Sequence, residues 1–551
     1  MNQVLTAGTT HTVLNQAEPA LGWNALSDDR LLTSITGKFT PWVAEHAARL
    51  GAHAGDPATQ ELARLANRHM PELKTHDRFG NRIDWVEFHP AWHELMALAF
   101  GHQVHSLAWT AQCPGAHFAR GVLSYLWNQI ENGVGCPTGM SYAAYPGLAQ
   151  PEFASWRAKL LSSDYDKRPL PHQRKAGITI GYAMTEKQGG SDLRQTQTTA
   201  RFSEDSQDGR LYLLTGHKWF FSVPQSDGFF TLARTKEGVT CFFVPGFLPD
   251  GKRNNLRLQR LKDKCGNRSN ASSEVEYHDA IAWLVGAEGH GIREILGHAH
   301  LTRLDFALGS AGLMRQALTL ALNHAQTRQA FGATLADQPM MTNILADLAI
   351  DCEASTLMAF RVARALDMTE RDEAERGLAR VATPLAKFWN CKRTAAFVAE
   401  ALECHGGNGF IEENPMARLY REAPLNGIWE GSSNMMCMDV LRAMRNEPRT
   451  RDAFMAEVTR ARGADRRLDH WLDRLGDEIT REHNDDGHAR QLCATMAYAL
   501  QASELRLHGS PDVFETFCAS RLQGNGAHVF GMLDPSPELK GIVERASVIR
   551  H

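Results

Sequence analysis

The sequence predicts an α+β protein in which helical and strand-rich segments are segregated along the chain, and three observations carry that expectation. Apolar residues recur at helical spacing between about 40 and 175, as in Trp42, Val43, Ala47 and Leu50 and again in Trp92, Leu95, Met96, Leu98 and Ala99. Between about 176 and 286 the texture changes to short β-branched and aromatic runs broken by turn residues, at 177–181, 211–215 and 239–244. Helical periodicity resumes near Ile292 and recurs over 304–328, 343–367 and 384–403, lengths suited to a bundle. The expected division is an N-terminal arm (1–40), an N-terminal helical domain (41–175), a central β-sheet or barrel domain (176–286), a helical bundle (287–445) and an extra C-terminal helical domain (446–551).

The arm is polar until a helix starts near Asp28-Asp29-Arg30-Leu31-Leu32. Phe88-His89-Pro90-Ala91-Trp92-His93 reads as another helix start, with Pro90 in the first turn. Its two histidines share a face, but no third ligand lies nearby, so no metal is expected. Glu274-Val275-Glu276-Tyr277 alternates as a half-exposed strand should. Pro448 ends or kinks the helix before it, and further breaks are expected at Pro511, at Gly524-Asn525-Gly526 and at Pro535.

A chain of 551 residues has ample core for several domains, and 43% apolar residues, 22% charged residues and a net charge of −4 describe a soluble enzyme-sized protein. Bulk charge announces no nucleic-acid partner, so such a partner needs a local patch. No stretch approaches the ~18 apolar residues of a membrane span. The start, Met1-Asn2-Gln3-Val4-Leu5-Thr6, lacks a basic segment followed by an apolar run, and a cytoplasmic location is expected. Ten cysteines without a C-x-x-C pair read as reduced, mostly buried thiols.

One stretch carries distinctive chemistry. Glu430 sits between Trp429 and Gly431, just before Ser432, Ser433 and Asn434, which suit a helix start. The tryptophan raises a neighbouring carboxylate pKa and the helix N-terminus lowers it, opposed forces that can poise a general base. An ordinary first-turn acid stabilised by the helix dipole is the simpler local reading.

Other motifs form an ordered series. Met184-Thr185-Glu186-Lys187-Gln188-Gly189-Gly190-Ser191-Asp192 follows a strand, and its paired glycines let backbone N–H groups approach a phosphate or a ring edge. Then come Gly216-His217-Lys218-Trp219-Phe220-Phe221-Ser222, Asp263-Lys264-Cys265-Gly266-Asn267-Arg268-Ser269, Gly286-Ala287-Glu288-Gly289-His290-Gly291, Arg328-Gln329-Ala330-Phe331-Gly332 and His405-Gly406-Gly407-Asn408-Gly409-Phe410. In this order the set resembles the acyl-CoA dehydrogenase flavoprotein family over about residues 40–445. His11-Thr12-Val13-Leu14-Asn15-Gln16, the Phe88–His93 motif and Ile428-Trp429-Glu430-Gly431-Ser432 look like its AidB-like, alkylation-response branch, whose members carry an extra C-terminal helical domain.

The resemblance implies an acyl-CoA dehydrogenase-like fold with a C-terminal four-helix bundle, and FAD as cofactor. Met184, Thr185, Gly190 and Ser191 match the loop that contacts the flavin ring, and Ser222 matches the hydroxyl bonded to flavin N5. Phe220, beside Phe221, takes the place of a shielding tryptophan. Arg328, Phe331 and Gly332 match residues that reach the adenosine diphosphate of FAD from a neighbouring subunit, which implies a homodimer or homotetramer. Gly406, Gly407 and Gly409 match glycines of the same phosphate region, where Glu403 replaces the usual glutamine. Ile428, Trp429, Gly431, Ser432 and Asn434 complete the matched cofactor set. The family's other position for its catalytic glutamate is Thr302 here, before Arg303, so Glu430 inherits the base. It would remove the α-proton of an acyl-CoA thioester as hydride leaves the β-carbon for flavin N5.

The branch further implies a protein of the adaptive response to DNA alkylation that binds double-stranded DNA without sequence preference and keeps weak dehydrogenase chemistry. Arg442, Arg445, Arg449 and Arg451 are the candidate phosphate contacts, with Arg460–Arg467 beyond them. Asp465, Asp469, Asp473 and Asp477 run alongside the later arginines, so a salt-laced solvent face is the alternative there. Asp439, three residues before Arg442, is placed to pair with it. Other functional readings are an ordinary acyl-CoA dehydrogenase, and a flavin oxidase or monooxygenase of small alkylating compounds.

Overall fold

The computed structural model describes residues 10–206, 209–480, 486–523 and 529–549. The expected Gly524-Asn525-Gly526 turn and the Met1–Thr6 start lie outside them. Eight helices make up most of the N-terminal part: α1 (Arg30–Phe39), α2 (Ala44–Gly51), α3 (Pro57–Arg68), α4 (Pro90–Gly101), α5 (Leu107–Thr110), α6 (Ala116–Trp127), α7 (Gly135–Ala144) and α8 (Ala154–Leu160). Their starts follow local chemistry. Asp29 accepts the Leu32 N–H at 2.9 Å, and Asp56 accepts that of Thr59 at 2.9 Å ahead of Pro57, so each carboxylate satisfies an orphan donor of its helix. The His89 ring caps α4 by accepting from Ala91 N–H at 3.2 Å, while His93 Nδ1 lies 2.9 Å from the Tyr165 hydroxyl.

This part is not wholly helical, as the sequence reading had it. An antiparallel hairpin, β1 (Glu72–His76) and β2 (Arg82–Glu87), interrupts it. Its turn is built on Asp77, which accepts from the N–H groups of Phe79 (2.8 Å) and Asn81 (2.9 Å), with Gly80 at φ +84°.

The central segment contributes β3 (Ile180–Ala183), β4 (Thr199–Ser206), β5 (Gly209–Ser222), β6 (Gly228–Thr235), β7 (Gly238–Pro245), β8 (Leu256–Leu261) and β9 (Ser272–Val285). Strands β6, β4, β5, β9 and β7 pair in that order and β7 returns to β6, closing a barrel; β3 runs parallel beside β6, and β8 pairs with β9. A buried ion pair, Lys218 to Glu186 at 2.8 Å, pins the loop after β3 to β5. Glu186 also accepts from Gln197 N–H (2.7 Å) and the Thr198 hydroxyl (2.6 Å), so its buried charge is fully engaged.

The bundle comprises α9 (Gly291–Thr327), α10 (Pro339–Met368), α11 (Glu373–Glu403) and α14 (Ser433–Asn446), with α12 (Gly407–Phe410) and α13 (Pro415–Glu422) in the connection. The expected helix start at Pro384 is displaced: α11 begins at Glu373, capped by Asp372, and carries Pro384 in its interior. The surrounding helices bury the turn around this proline, and that packing outweighs its breaking tendency. Pro448 stands at the first turn of α15 (Pro448–Val458), so the preceding helix does end before it.

Helices α16 (Arg466–Thr480), α17 (Ala489–His508), α18 (Pro511–Phe517) and α19 (Glu538–Ala546) complete the chain. They share their core with the bundle, because one buried apolar cluster runs from Trp23 to Val548. Buried ion pairs cross the same seam. Arg361 of α10 bonds Glu375 of α11 and Glu457 of α15, each at 2.8 Å, and Arg521 reaches Asp347 and Asp351 of α10. Among the described residues no helix is long and apolar enough to cross a membrane.

Candidate active site

The Glu430 turn lies between the end of a short 3-10 segment, Leu425–Gly427, and the start of α14. Glu430 has φ +53° and Gly431 φ +97°, so two successive residues occupy the left-handed region. A glutamate pays for that conformation, and the turn is held by cations from two bundle helices. Lys387 of α11 donates to the carbonyls of Trp429 (2.8 Å) and Gly431, and Arg303 of α9 donates weakly to that of Glu430 at 3.4 Å. Arg303 is anchored on Asp439 of α14 at 2.9 Å.

Trp429 is fixed as firmly. Its indole N–H donates to Asn426 Oδ1 at 3.0 Å, the Asn426 amide donates to the Ser310 hydroxyl at 3.1 Å, and its ring stacks on Phe306 at 4.8 Å. Burial raises the Glu430 pKa above the ordinary carboxylate range, while Arg303 and Lys387 oppose that rise. The sequence reading gave the opposing pull to the helix N-terminus; here it comes from two side chains remote in sequence. Cys136 of α7 is pushed up to about 12, chiefly by burial with a contribution from the Glu430 charge, and Tyr182 of β3 rises for the same two reasons. Glu430 therefore faces the junction of barrel, bundle and N-terminal helices. Thr302 is buried on α9 with its hydroxyl bonded to the Ala299 carbonyl at 3.0 Å.

On the barrel side, the loop after β3 approaches β5 through the Trp219 N–H, which donates to the Thr185 carbonyl at 2.8 Å. A Cβ on Gly190 would stand 2.3 Å from Thr185 Oγ1, so only glycine lets this loop fold back. Met184, Thr185 and Ser222 are half-buried and Ser191 is exposed. Phe220 is 51% exposed on β5. Strand alternation turns the ring of Phe221, another expected cofactor position, inward, where it meets Phe229 at 4.5 Å.

The distal cofactor positions separate from this centre. Arg328 ends α9, and its guanidinium bonds the Asn15 carbonyl of the N-terminal arm. Phe331 (φ +53°) and Gly332 (φ +83°) form the two-residue turn of a hairpin between Gln329–Ala330 and Ala333–Thr334, with Phe331 99% exposed. Gly406 (φ +58°) and Gly407 are exposed. At Gly409, another expected phosphate position, a Cβ would meet the Leu402 carbonyl at 2.5 Å, so its backbone packs closely on the last turn of α11. His405 and Asn408 line a cleft of about 890 Å³ between the N-terminal arm, α3 and α13, with Arg64, Arg268 and Arg418 on its walls.

In the Glu430 turn, Ile428 is 64% exposed, and Ser432 holds the N-cap position without a side-chain capping bond. Asn434 accepts from Arg490 Nε of α17 at 2.8 Å, a tie from the C-terminal helices to this turn. The expected Asp439–Arg442 pair does not form, because Asp439 is taken by Arg303 and by Arg380 at 3.0 Å. Arg442 is exposed and has no ion pair among the described residues. Arg445 lies 3.6 Å from Asp486, Arg451 3.9 Å from Asp452, and Arg449 is paired with Glu373. Lys387 and Arg380 were not singled out by sequence; a lone lysine in the apolar run 381–388 was the available signal.

Barrel, bundle and a buried carboxylate on a left-handed turn between them define a flavoprotein dehydrogenase class. Residues 15–167 match the adaptive response protein AidB N-terminal domain, 181–280 the acyl-CoA dehydrogenase middle domain and 289–445 the acyl-CoA dehydrogenase C-terminal domain. The chain belongs to the acyl-CoA dehydrogenase family, on its AidB-like branch. It is 45% identical to the AidB protein of Escherichia coli strain K12 across 94% of this chain and 95% of that one. It is 30% identical to acyl-CoA dehydrogenase family member 11 of Caenorhabditis elegans, over 83% and 76% of the two chains. The solved structure of Caenorhabditis elegans ACDH-11 with C11-CoA superposes with a TM-score of 0.85 at 25% identity, covering 95% of this chain and 94% of that one. A Bacillus anthracis acyl-CoA dehydrogenase complexed with FAD shares the fold, with a TM-score of 0.68 at 16% identity over 93% and 92% of the chains.

FAD is the cofactor of this family, and the residues present suit it. Gly190 permits the close fold of the loop after β3, the Ser222 hydroxyl makes no hydrogen bond to another described residue, and Arg328 offers a guanidinium matched to phosphate.

Proposed function

We propose that the protein is a FAD-dependent oxidoreductase of acyl-CoA thioesters, with Glu430 as its general base. The observation that carries this reading is the Glu430 turn: a carboxylate of raised proton affinity at positive φ, facing the barrel between two buried cations, while Thr302 leaves the alternative position without an acid. Bound FAD would supply the acceptor for the substrate's β-hydride. Glu430 takes the α-proton at its carboxylate, Arg303 and Lys387 keep that carboxylate ionised before the transfer, and the Trp429–Phe306 stack walls the site against water. The C11-CoA complex of the nematode relative supports an acyl-CoA as ligand class. Replacing Glu430 with Gln should lower acyl-CoA-dependent flavin bleaching by at least about 100-fold with the flavin retained. Bleaching by the variant at the parent's rate would reject the assignment, and a parent that bleaches with no acyl-CoA would reject the reaction.

A second role, binding double-stranded DNA in the response to alkylation, is favoured by the similarity to Escherichia coli AidB together with exposed Arg442. The neighbouring pairs Arg445–Asp486 and Arg451–Asp452 are surface contacts, worth at most about 1 kcal/mol each, so phosphate can displace them. Binding of duplex DNA should weaken steeply with salt, and Arg442→Ala should reduce the slope of log K against log salt by about 1. Salt-insensitive binding, or none, rejects this role.

A further inference from the structure

Two cations, Arg303 and Lys387, bond the Glu430 turn, and the first of them is already balanced in a cluster it shares with Arg380. Arg303 and Arg380 meet at Asp439, at 2.9 and 3.0 Å, and Arg380 lies 3.3 Å from Glu447. Lys387 follows Arg380 by two turns on the same face of α11. It is 1% exposed and makes no ion pair with a described residue, yet its ammonium bonds the carbonyls on either side of Glu430. Burying an ammonium without a counter-charge costs several kcal/mol. The carboxylate whose charge acts on Lys387 is that of Glu430.

We propose that Lys387 is the positioning residue of the base: its ammonium clips the Trp429 and Gly431 carbonyls, which fixes the left-handed turn, and supplies the positive charge that balances the Glu430 carboxylate. A side chain without the charge would leave Glu430 facing only Arg303, whose charge Asp439 already shares, and one without donors would also leave the turn without its clip. The inference rests on the proposed reaction for its kinetic reading but not for its ionisation reading.

The groups around the turn permit a clean titration. Cys136 of α7, Tyr182 of β3 and Cys391 of α11 are held neutral by raised pKa values, and His300 of α9 is lowered to about 4 by burial. Arg303 and Arg380 are both paired with Asp439, which completes the charged groups on this side of the turn.

The test is a carboxylate titration by infrared difference spectroscopy on the FAD-loaded full chain, with the Glu430→Gln protein as reference. Lys387→Met should raise the Glu430 midpoint by about one pH unit or more, a roughly tenfold change in proton affinity. Lys387→Gln, which keeps a donor but no charge, should shift it by a similar amount, so a Met variant that fails to fold still leaves a reading. Lys387→Arg should hold the midpoint near the parent value, and so should Lys392→Met, an exposed lysine of the same helix. In bleaching assays the acidic limb of kcat should move upward with the Met and Gln variants while KM changes little. Equal midpoints in parent and Lys387→Gln, or an equal shift from Lys392→Met, overturns the proposal. A parent that fails to bleach rejects the proposed reaction, and the titration still decides the role of Lys387.

Discussion

At Glu430 an acidic side chain occupies backbone space that costs about 1–2 kcal/mol outside glycine. That cost is met by contacts on both sides, the Lys387 clip and the Trp429–Asn426–Ser310 chain. Gly431, at φ +97°, is the other half of the turn, and a Cβ there would stand 2.6 Å from Met436 Cε. Gly431→Ala should therefore destabilise the protein by about 1–3 kcal/mol and depress bleaching more than it lowers the melting temperature would suggest, because the carboxylate is re-aimed. Thermal melts and single-turnover bleaching check this; unchanged values of both would show that the turn relaxes freely. Glu430 stood out in the sequence because tryptophan, acid, glycine and cap residues are contiguous, and the ordered motifs elsewhere turned it from an ordinary first-turn acid into the candidate base. Lys387 was not, because its partners are two backbone carbonyls more than forty positions away, and such a contact leaves no local pattern. The inward ring of Phe221 was hidden for a related reason: adjacent positions in a strand point to opposite faces, and a motif match does not say which.

Helices and strands show the same division between local and distant causes. Helix starts at Asp29 and Pro90 follow from neighbouring residues, and the structure has them where the sequence put them. The β1–β2 hairpin escaped notice because its strands are short and only its Asp77–Asn81 turn is distinctive. Pro384 misled for the opposite reason, since a strong local breaker sits where bundle packing decides. A long-range cap also joins two elements: Asp367, near the end of α10, accepts the N–H groups of His117 (2.8 Å) and Phe118 (2.9 Å) in the first turn of α6. Burial outweighs those bonds and pushes its pKa up to about 6. The folded protein then holds this proton more tightly than the unfolded chain, so the stability contributed is full below about pH 4 and is lost as pH rises to about 6. Asp367→Asn should remove that decline. Melting curves from pH 4 to 7 should show the parent losing ground to the variant across this window; a constant difference would contradict the shift.

On the scale of the molecule, the C-terminal helices are not an appendage. They share one apolar core with the bundle, and Arg521 sits 5% exposed between Asp347 and Asp351, the latter also paired with Arg393 at 2.6 Å. Removing the arginine leaves two buried carboxylates facing each other. Arg521→Ala should cost about 3–5 kcal/mol, and denaturant unfolding should show the bundle and C-terminal helices losing stability together. Loss confined to the C-terminal helices would mean that the seam is looser than its ion pairs indicate. The order of α, β and α segments was readable from periodicity alone, whereas the fusion of the last two helical parts was not, because amphipathic spacing shows that a face is covered without showing by what.

Helix α9 extends this coupling along one axis. Its 37 residues carry Arg303 beside the Glu430 turn and lead to Arg328 at the far end. At ~1.5 Å per residue the two arginines are separated by roughly 37 Å, so a single rod measures out the interval between the Glu430 turn and the distal Phe331 turn. Such a ruler tolerates substitution but not a change of length: one inserted residue would advance everything beyond it by ~1.5 Å and swing it by ~100° about the axis, turning Arg328 away from Asn15 while leaving the Glu430 turn intact.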